Sequence, residues 1–179
     1  KFGSNSKLYE IFNEIFGPHQ KQWFNSSYFF KPKKVGIETK PHQDNAYFNL
    51  NPCDAFTAWI PTDSVTKKNS ALYYYAGSQK EGQLAHDPHG NLGASMCVSK
   101  KIIDKIKQRY KKHYIEVKKG DCVIHSPLVV HGSKKNRGQV DRGAFNMSIK
   151  SKKAKLDIIG FSNYEKKLKS FLKAKKKKK

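Results

Sequence analysis

Pro41-His42-Gln43-Asp44 sets an imidazole and a carboxylate two residues apart. In a strand, side chains at i and i+2 point to the same face, so His42 and Asp44 would converge on one point in space. A nitrogen and an oxygen donor held together suit a borderline divalent ion such as Fe(II). One more His would complete a two-histidine, one-carboxylate face that leaves the other metal positions open. A chance His-x-Asp on a surface loop is the plain alternative, so the pair needs a third donor and something for the metal to act on.

The histidines available as third donor are His19, His86, His89, His113, His125 and His131. His131 stands apart by its company. It ends the apolar run Val129-Val130, and it precedes Gly132-Ser133, where the backbone can leave a sheet. Arg142 follows eleven residues later, at the head of the next predicted strand. Two neighbouring antiparallel strands joined by the loop 132–141 would set His131 and Arg142 side by side, facing one cavity. A buried arginine needs an anion, and a dicarboxylic cosubstrate offers one for a bidentate grip. His125 is the rival ligand, since six residues preserve strand parity. Pro127 interrupts the run between the two, however, and His125 has neither the Gly-Ser nor the downstream arginine.

The elements that must position these groups follow from periodicity and punctuation. Residues 6–16 predict an amphipathic helix, capped by Ser6 and ended by Gly17-Pro18. Strands are expected at 23–30, 37–48 (carrying the His-x-Asp), 55–61, 71–76, 114–117, 122–125, 128–131 and 142–150, with a second helix over 99–112. Residues 79–98 hold His86, Asp87, His89 and three glycines with little periodicity, and predict a long loop or lid over the site. Many short strands with turn signals between them indicate a barrel or sandwich. One domain is expected over 1–150. The lysine-rich remainder, 151–179, predicts one helix through Tyr164, Leu168, Phe171 and Leu172, with disordered terminal lysines.

The 179 residues suffice for one buried core. No run approaches the roughly 18 apolar residues of a membrane span. Cys53, Cys97 and Cys122 form no paired framework, so reduced thiols and a cytoplasmic setting are the expectation. The formal charge is +22, but all except three of the 36 basic residues are lysine. Nucleic-acid readers favour arginine for its bidentate fork. A dispersed lysine excess predicts a solvated surface, and nucleic acid is not expected as a specific partner.

Three blocks of the chain, PHQDNAYF, AWIPTDSVTKKNSALYYYAGSQK and KKGDCVIHSPLVVHGSKKNRGQVDRGAFNMSI, resemble in order the phytanoyl-CoA dioxygenase family of Fe(II)/2-oxoglutarate oxygenases, between Lys31 and Ile149. The resemblance implies an all-β core with flanking helices, a double-stranded β-helix (jelly roll, cupin-like). It implies His42, Asp44 and His131 as iron ligands and Arg142 as binder of the 2-oxoglutarate carboxylate. Ser133 matches a supporting hydroxyl and Trp59 an aromatic wall of the cosubstrate pocket. It implies Fe(II), 2-oxoglutarate as cosubstrate and O2, with hydroxylation of a C–H bond in a small organic substrate and release of succinate and CO2. Related halogenases lack the carboxylate at the position of Asp44, so that chloride can bind; its presence favours hydroxylation.

Ala76-Gly77-Ser78-Gln79 stands where the family usually reads Pro-Gly-Ser-His. Members carry a further segment ahead of the first block, so the chain reads as a fragment or minimal form. Asn45, Tyr47 and His86 are the candidates for substrate contact, with core packing for Tyr47 and an exposed loop for His86 and His89 as alternatives. Two other functions fit the same scaffold: a nucleic-acid demethylase of the same superfamily, and a non-catalytic cupin-like binding module.

Overall fold

A computed structural model describes residues 7–18, 20–91 and 94–177. Ser6, His19, Lys178 and Lys179 lie outside the described residues. The chain opens with α1 (Lys7–Phe16), β1 (Lys21–Lys31), β2 (Thr39–His42), α2 (Asn45–Phe48), β3 (Leu50–Asn51), β4 (Ala55–Pro61) and β5 (Leu72–Tyr75). A 3-10 turn at Ser78–Glu81 leads to β6 (His86–Asn91), β7 (Ala94–Val98), α3 (Lys100–Arg109), β8 (Lys112–Ile115) and β9 (Val123–His125). The last elements are β10 (His131–Ser133), β11 (Arg142–Ser151), β12 (Lys155–Leu156) and α4 (Ile158–Lys176).

Two four-stranded antiparallel sheets, β1-β11-β4-β9 and β2-β10-β5-β8, make the double-stranded β-helix. Strand alternation divides the side chains between layers. Leu72 and Tyr74 of β5 point between the sheets, with Trp59, Val129 and Ala144. Tyr73 and Tyr75 point outward, under Ile103 and Ile106 of α3. That double coverage explains why all four residues of β5 are buried. On the other sheet, Ala58 and Ile149 face outward and are covered by Phe12 of α1. Full burial of Phe12 contributes about 1.5–3 kcal/mol. Among the described residues no helix is long and apolar enough to cross a membrane.

Several expectations need correction. The run 37–48 is not one strand: β2 stops at His42, and Asp44 adopts helical angles (φ −60°, ψ −32°) as the residue before α2. Residues 128–130 form a turn rather than a strand, so His131 opens β10 instead of closing a strand. His131 and Arg142 do not lie on neighbouring strands; β10 and β11 belong to opposite sheets and face each other across the barrel. Residues 86–91 and 94–98, with Leu92 and Gly93 outside the described residues, are no irregular lid. They pair as the hairpin β6–β7, in which Asp87 faces Cys97 and His86 faces Val98. Beyond residue 150 the expected helix is present and is longer than the run that predicted it. β12 pairs with β3, and α4 runs on into the lysines to Lys176 while packing against α2 and β6.

Candidate metal centre

His42 and His131 are direct cross-strand partners on β2 and β10, which brings their ring centroids to 4.4 Å. Gly132 permits that pairing to run on, because a Cβ there would meet the Tyr73 hydroxyl at 2.6 Å and the Thr39 carbonyl at 2.7 Å. In each histidine Nδ1–H donates to a backbone carbonyl, Lys40 O at 2.8 Å for His42 and Val129 O at 3.1 Å for His131. That fixes the tautomer and aims both Nε2 lone pairs inward. Asp44 Oδ1 lies 3.6 Å from each Nε2. The donor atoms of His42, Asp44 and His131 all fall within 4.8 Å of one another, and all three residues are buried.

Their protonation states suit a cation. Burial opposes ionisation of Asp44, yet the imidazoles of His131, His125 and His42 hold its carboxyl well below the usual carboxylate range. Burial, reinforced by His42, pushes His131 down to about 3, so it stands neutral. One carboxylate and two imidazoles whose Nε2 atoms face inward are the donor set a divalent ion requires.

The three donors open into a cavity of about 300 Å³ that Arg142 and Lys31 also line. Arg142 is 2% exposed, and its Nε is buried without a hydrogen-bond partner. Its guanidinium lies over the Trp59 ring at 5.4 Å, and its Nη2 reaches Ser133 Oγ at 3.4 Å. Lys31, which sequence reasoning missed, is the cross-strand neighbour of Arg142. Its Nζ donates to the same Ser133 Oγ at 2.6 Å. Burial and the adjacent Arg142 lower its pKa to about 7. Two buried cations side by side on one hydroxyl repel one another until an anion joins them. The signal for Lys31 was its place next to Pro32 at a strand end, but it is one lysine among many.

The substrate-side candidates fall elsewhere. None of Asn45, Tyr47 and His86 lines the cavity that holds the metal donors. Asn45 is committed to both backbone groups of Leu50 N–H and C=O and to Gln83. The Tyr47 hydroxyl accepts from Met96 N–H and donates to Met96 C=O. His86 is buried, with Nε2 accepting from Gln43 N–H at 3.0 Å and Nδ1 donating to Leu84 C=O. His86 is therefore neither an exposed loop residue nor a group reaching into the metal cavity, whereas His89 is half-buried on the hairpin. His125, the rival ligand, lies beside the triad but turns its Nε2 to Asp44 Oδ2 at 3.2 Å.

Residues 4–144 match the family described as Phytanoyl-CoA dioxygenase. A phytanoyl-CoA dioxygenase domain-containing protein 1 homolog of Caenorhabditis briggsae is 28% identical over 85% of this chain and 54% of its own length. The peroxisomal phytanoyl-CoA dioxygenase of Homo sapiens is 30% identical over 68% of this chain and 37% of its own. The chain thus spans about half the length, or less, of these relatives. Among solved structures, EvdO2 of Micromonospora carbonacea complexed with 2-oxoglutarate superposes with a TM-score of 0.66 at 17% identity, over 87% of this chain and 64% of that one. EctD of S. alaskensis with bound Fe gives 0.61 at 15% identity, over 74% and 45%.

Proposed function

The chain belongs to the phytanoyl-CoA dioxygenase family, and from that premise we propose that it is an Fe(II)- and 2-oxoglutarate-dependent dioxygenase that hydroxylates a C–H bond of a small organic substrate. The observation that carries this reading is the pairing, in one cavity, of a three-donor metal face with two buried cations that share a hydroxyl. His42, Asp44 and His131 would hold the iron. Arg142 and Lys31, joined by Ser133, would take the distal carboxylate of 2-oxoglutarate, with Trp59 as the wall beside it. When bound, iron, 2-oxoglutarate and O2 together supply the oxidising chemistry, releasing succinate and CO2 and placing one oxygen atom in the substrate.

The chain's own part is orientation and shielding. The backbone carbonyls of Lys40 and Val129 hold the Nδ1–H groups, which leaves the Nε2 lone pair of each histidine directed at the cavity. The cation pair and the three-donor face line one cavity, so a diacid held by its distal carboxylate at the cations has its other end available to the metal. Phe29, Phe30, Val35 and Ile37 line the same cavity and keep part of its wall apolar. Asp44 fills the carboxylate position, which supports hydroxylation over halogenation. The three free cysteines support a reducing compartment such as the cytoplasm.

Succinate release from 2-oxoglutarate, measured with and without Fe(II), tests the reading. Wild type is expected to release succinate only with iron, and Asp44→Ala to lose at least about 100-fold, more than loss of an outer partner costs. Undiminished release by Asp44→Ala would sink it.

A further inference from the structure

Asp44 has two carboxylate oxygens, and the fold treats them differently. Oδ1 faces His42 Nε2 and His131 Nε2. Oδ2 is turned away and accepts two hydrogen bonds, from Thr57 O–H at 2.9 Å and from His125 Nε2–H at 3.2 Å. Thr57 and His125 are themselves direct cross-strand partners on β4 and β9, so one sheet delivers both donors to a carboxylate at the end of a strand in the other. His125 is also held from behind. The Asp44 carboxylate can only accept, so Nε2 is the nitrogen that donates, and Nδ1 is left to accept from Tyr74 O–H at 3.1 Å, which fixes the ring's direction. The Tyr74 ring stacks on His131 at 5.6 Å, so the same tyrosine orients a ligand and the partner of a ligand.

Resting on the metal reading above, we propose that His125 is a positioning residue that, with Thr57, holds Asp44 as a one-oxygen ligand. A carboxylate free to rotate can bind a cation through both oxygens. Here that would consume a fourth metal position and leave two, whereas a chelating 2-oxo acid and O2 together need three. By occupying Oδ2, the His125–Thr57 pair keeps the third position open. Among the described residues, the convergent donor set contains His42, Asp44 and His131 and leaves His125 out, which separates this role from that of a ligand.

Co(II) titration followed by its visible d–d absorption tests the proposal without turnover, because it reads both affinity and coordination number. Wild type, His125→Phe, His125→Gln, Tyr74→Phe and His131→Ala are compared, with the melting of each apo protein as the folding control. His125→Phe keeps the ring volume and loses the donor. It is expected to bind Co(II) about 10- to 100-fold more weakly or with an altered coordination spectrum. His125→Gln retains an N–H near the Nε2 position and should restore wild-type behaviour to within severalfold. Tyr74→Phe, which removes one oxygen only, should fall between them and carries the test if His125→Phe does not fold. Wild-type affinity and spectrum in both His125→Phe and Tyr74→Phe would overturn the proposal. So would wild-type binding by His131→Ala with none by His125→Phe, since His125 would then be the ligand. Failure of the wild-type protein to bind Co(II) or Fe(II) would instead remove the metal reading itself.

Discussion

Two cavities flank the segment 42–47, and they differ in what their walls leave undone. His42 and Asp44 face the smaller, about 300 Å³, while Asn45 and His86 line the larger, about 490 Å³. In the larger, the Gln43, Asn45 and His86 network is internally complete. Gln43 behind it donates to Gly82 C=O and Leu128 C=O and accepts from Leu84 N–H. In the smaller, Arg142 Nε and Asn146 Oδ1 are buried without partners, and two cations crowd one hydroxyl. Unmet polar demand, rather than volume, marks the place where a ligand is needed. The larger cavity reads as the frame that holds the His-x-Asp turn from behind.

The contrast breaks most readily at Arg142. Its replacement by Ala should weaken 2-oxoglutarate binding by about 2–5 kcal/mol, since the ligand's carboxylate loses a buried, hydrogen-bonded partner. Calorimetric titration of the Fe(II)-loaded or Co(II)-loaded protein measures this directly. Unchanged affinity would mean that the cation pair does not serve the cosubstrate.

Lys31→Met should cost less, about 1.5–3 kcal/mol for one charge-assisted hydrogen bond, and it should also change the pH dependence. With its pKa lowered to about 7, Lys31 in the free protein is losing its proton just where most assays are run. Binding an anion favours the ammonium, so wild-type affinity should be greatest below pH 7 and fall as pH rises through it, with proton uptake on binding. Titrations in buffers of different ionisation enthalpy between pH 6 and 8.5 would detect that uptake. The Lys31→Met variant should show a flat profile; a profile as steep as wild type would assign the titration to another group.

Much of this architecture was legible because strands and helices announce themselves by period. The apolar runs at 55–61 and 71–76 bounded by turn residues, the strand at 142–150 and the helix after Ser99 fall close to where the sequence put them. The pairing of β6 with β7 was not legible. His86-Asp87-Pro88-His89 shows no alternation and contains a proline, and its register comes from packing on β2 and α4. The convergence of His42, Asp44 and His131 was reached by a route that was partly mistaken. His42 and Asp44 do share one side, but through a turn at the strand end rather than strand alternation. His131 and Arg142 do share a cavity, but across two sheets rather than on adjacent strands. The contacts of Lys31 with Ser133 and of Thr57 and His125 with Asp44 were not legible for a common reason: each joins residues distant in sequence, so no local spacing records it.

On the other side of the loop, His86 offers a milder test that concerns stability. Burial lowers its pKa to about 4, from the ordinary 6.5. Between those values the unfolded chain binds a proton at this site and the folded chain does not, so stability contributed by neutral His86 is complete above 6.5 and is lost as pH falls toward 4. About 2 kcal/mol should disappear between pH 7 and 5. Urea melts of the apo protein at the two values would show it. His86→Gln, which can still accept from Gln43 N–H but does not titrate, should remove that much of the wild-type decline.

The smallest expected effect lies at the open rim of the larger cavity, where Lys167 of α4 contributes to the lining. Lys167 is exposed and does not line the smaller cavity. If the larger cavity is only a frame, Lys167→Ala should leave Co(II) affinity, 2-oxoglutarate affinity and uncoupled succinate release within about twofold of wild type, as an exposed substitution away from special features does. Primary substrate would be the sensitive probe once one is found. A variant that keeps cosubstrate turnover but loses coupling to substrate oxidation would show that the larger cavity receives substrate, and the two sides of the 42–47 turn would then be halves of one site rather than a site and its support.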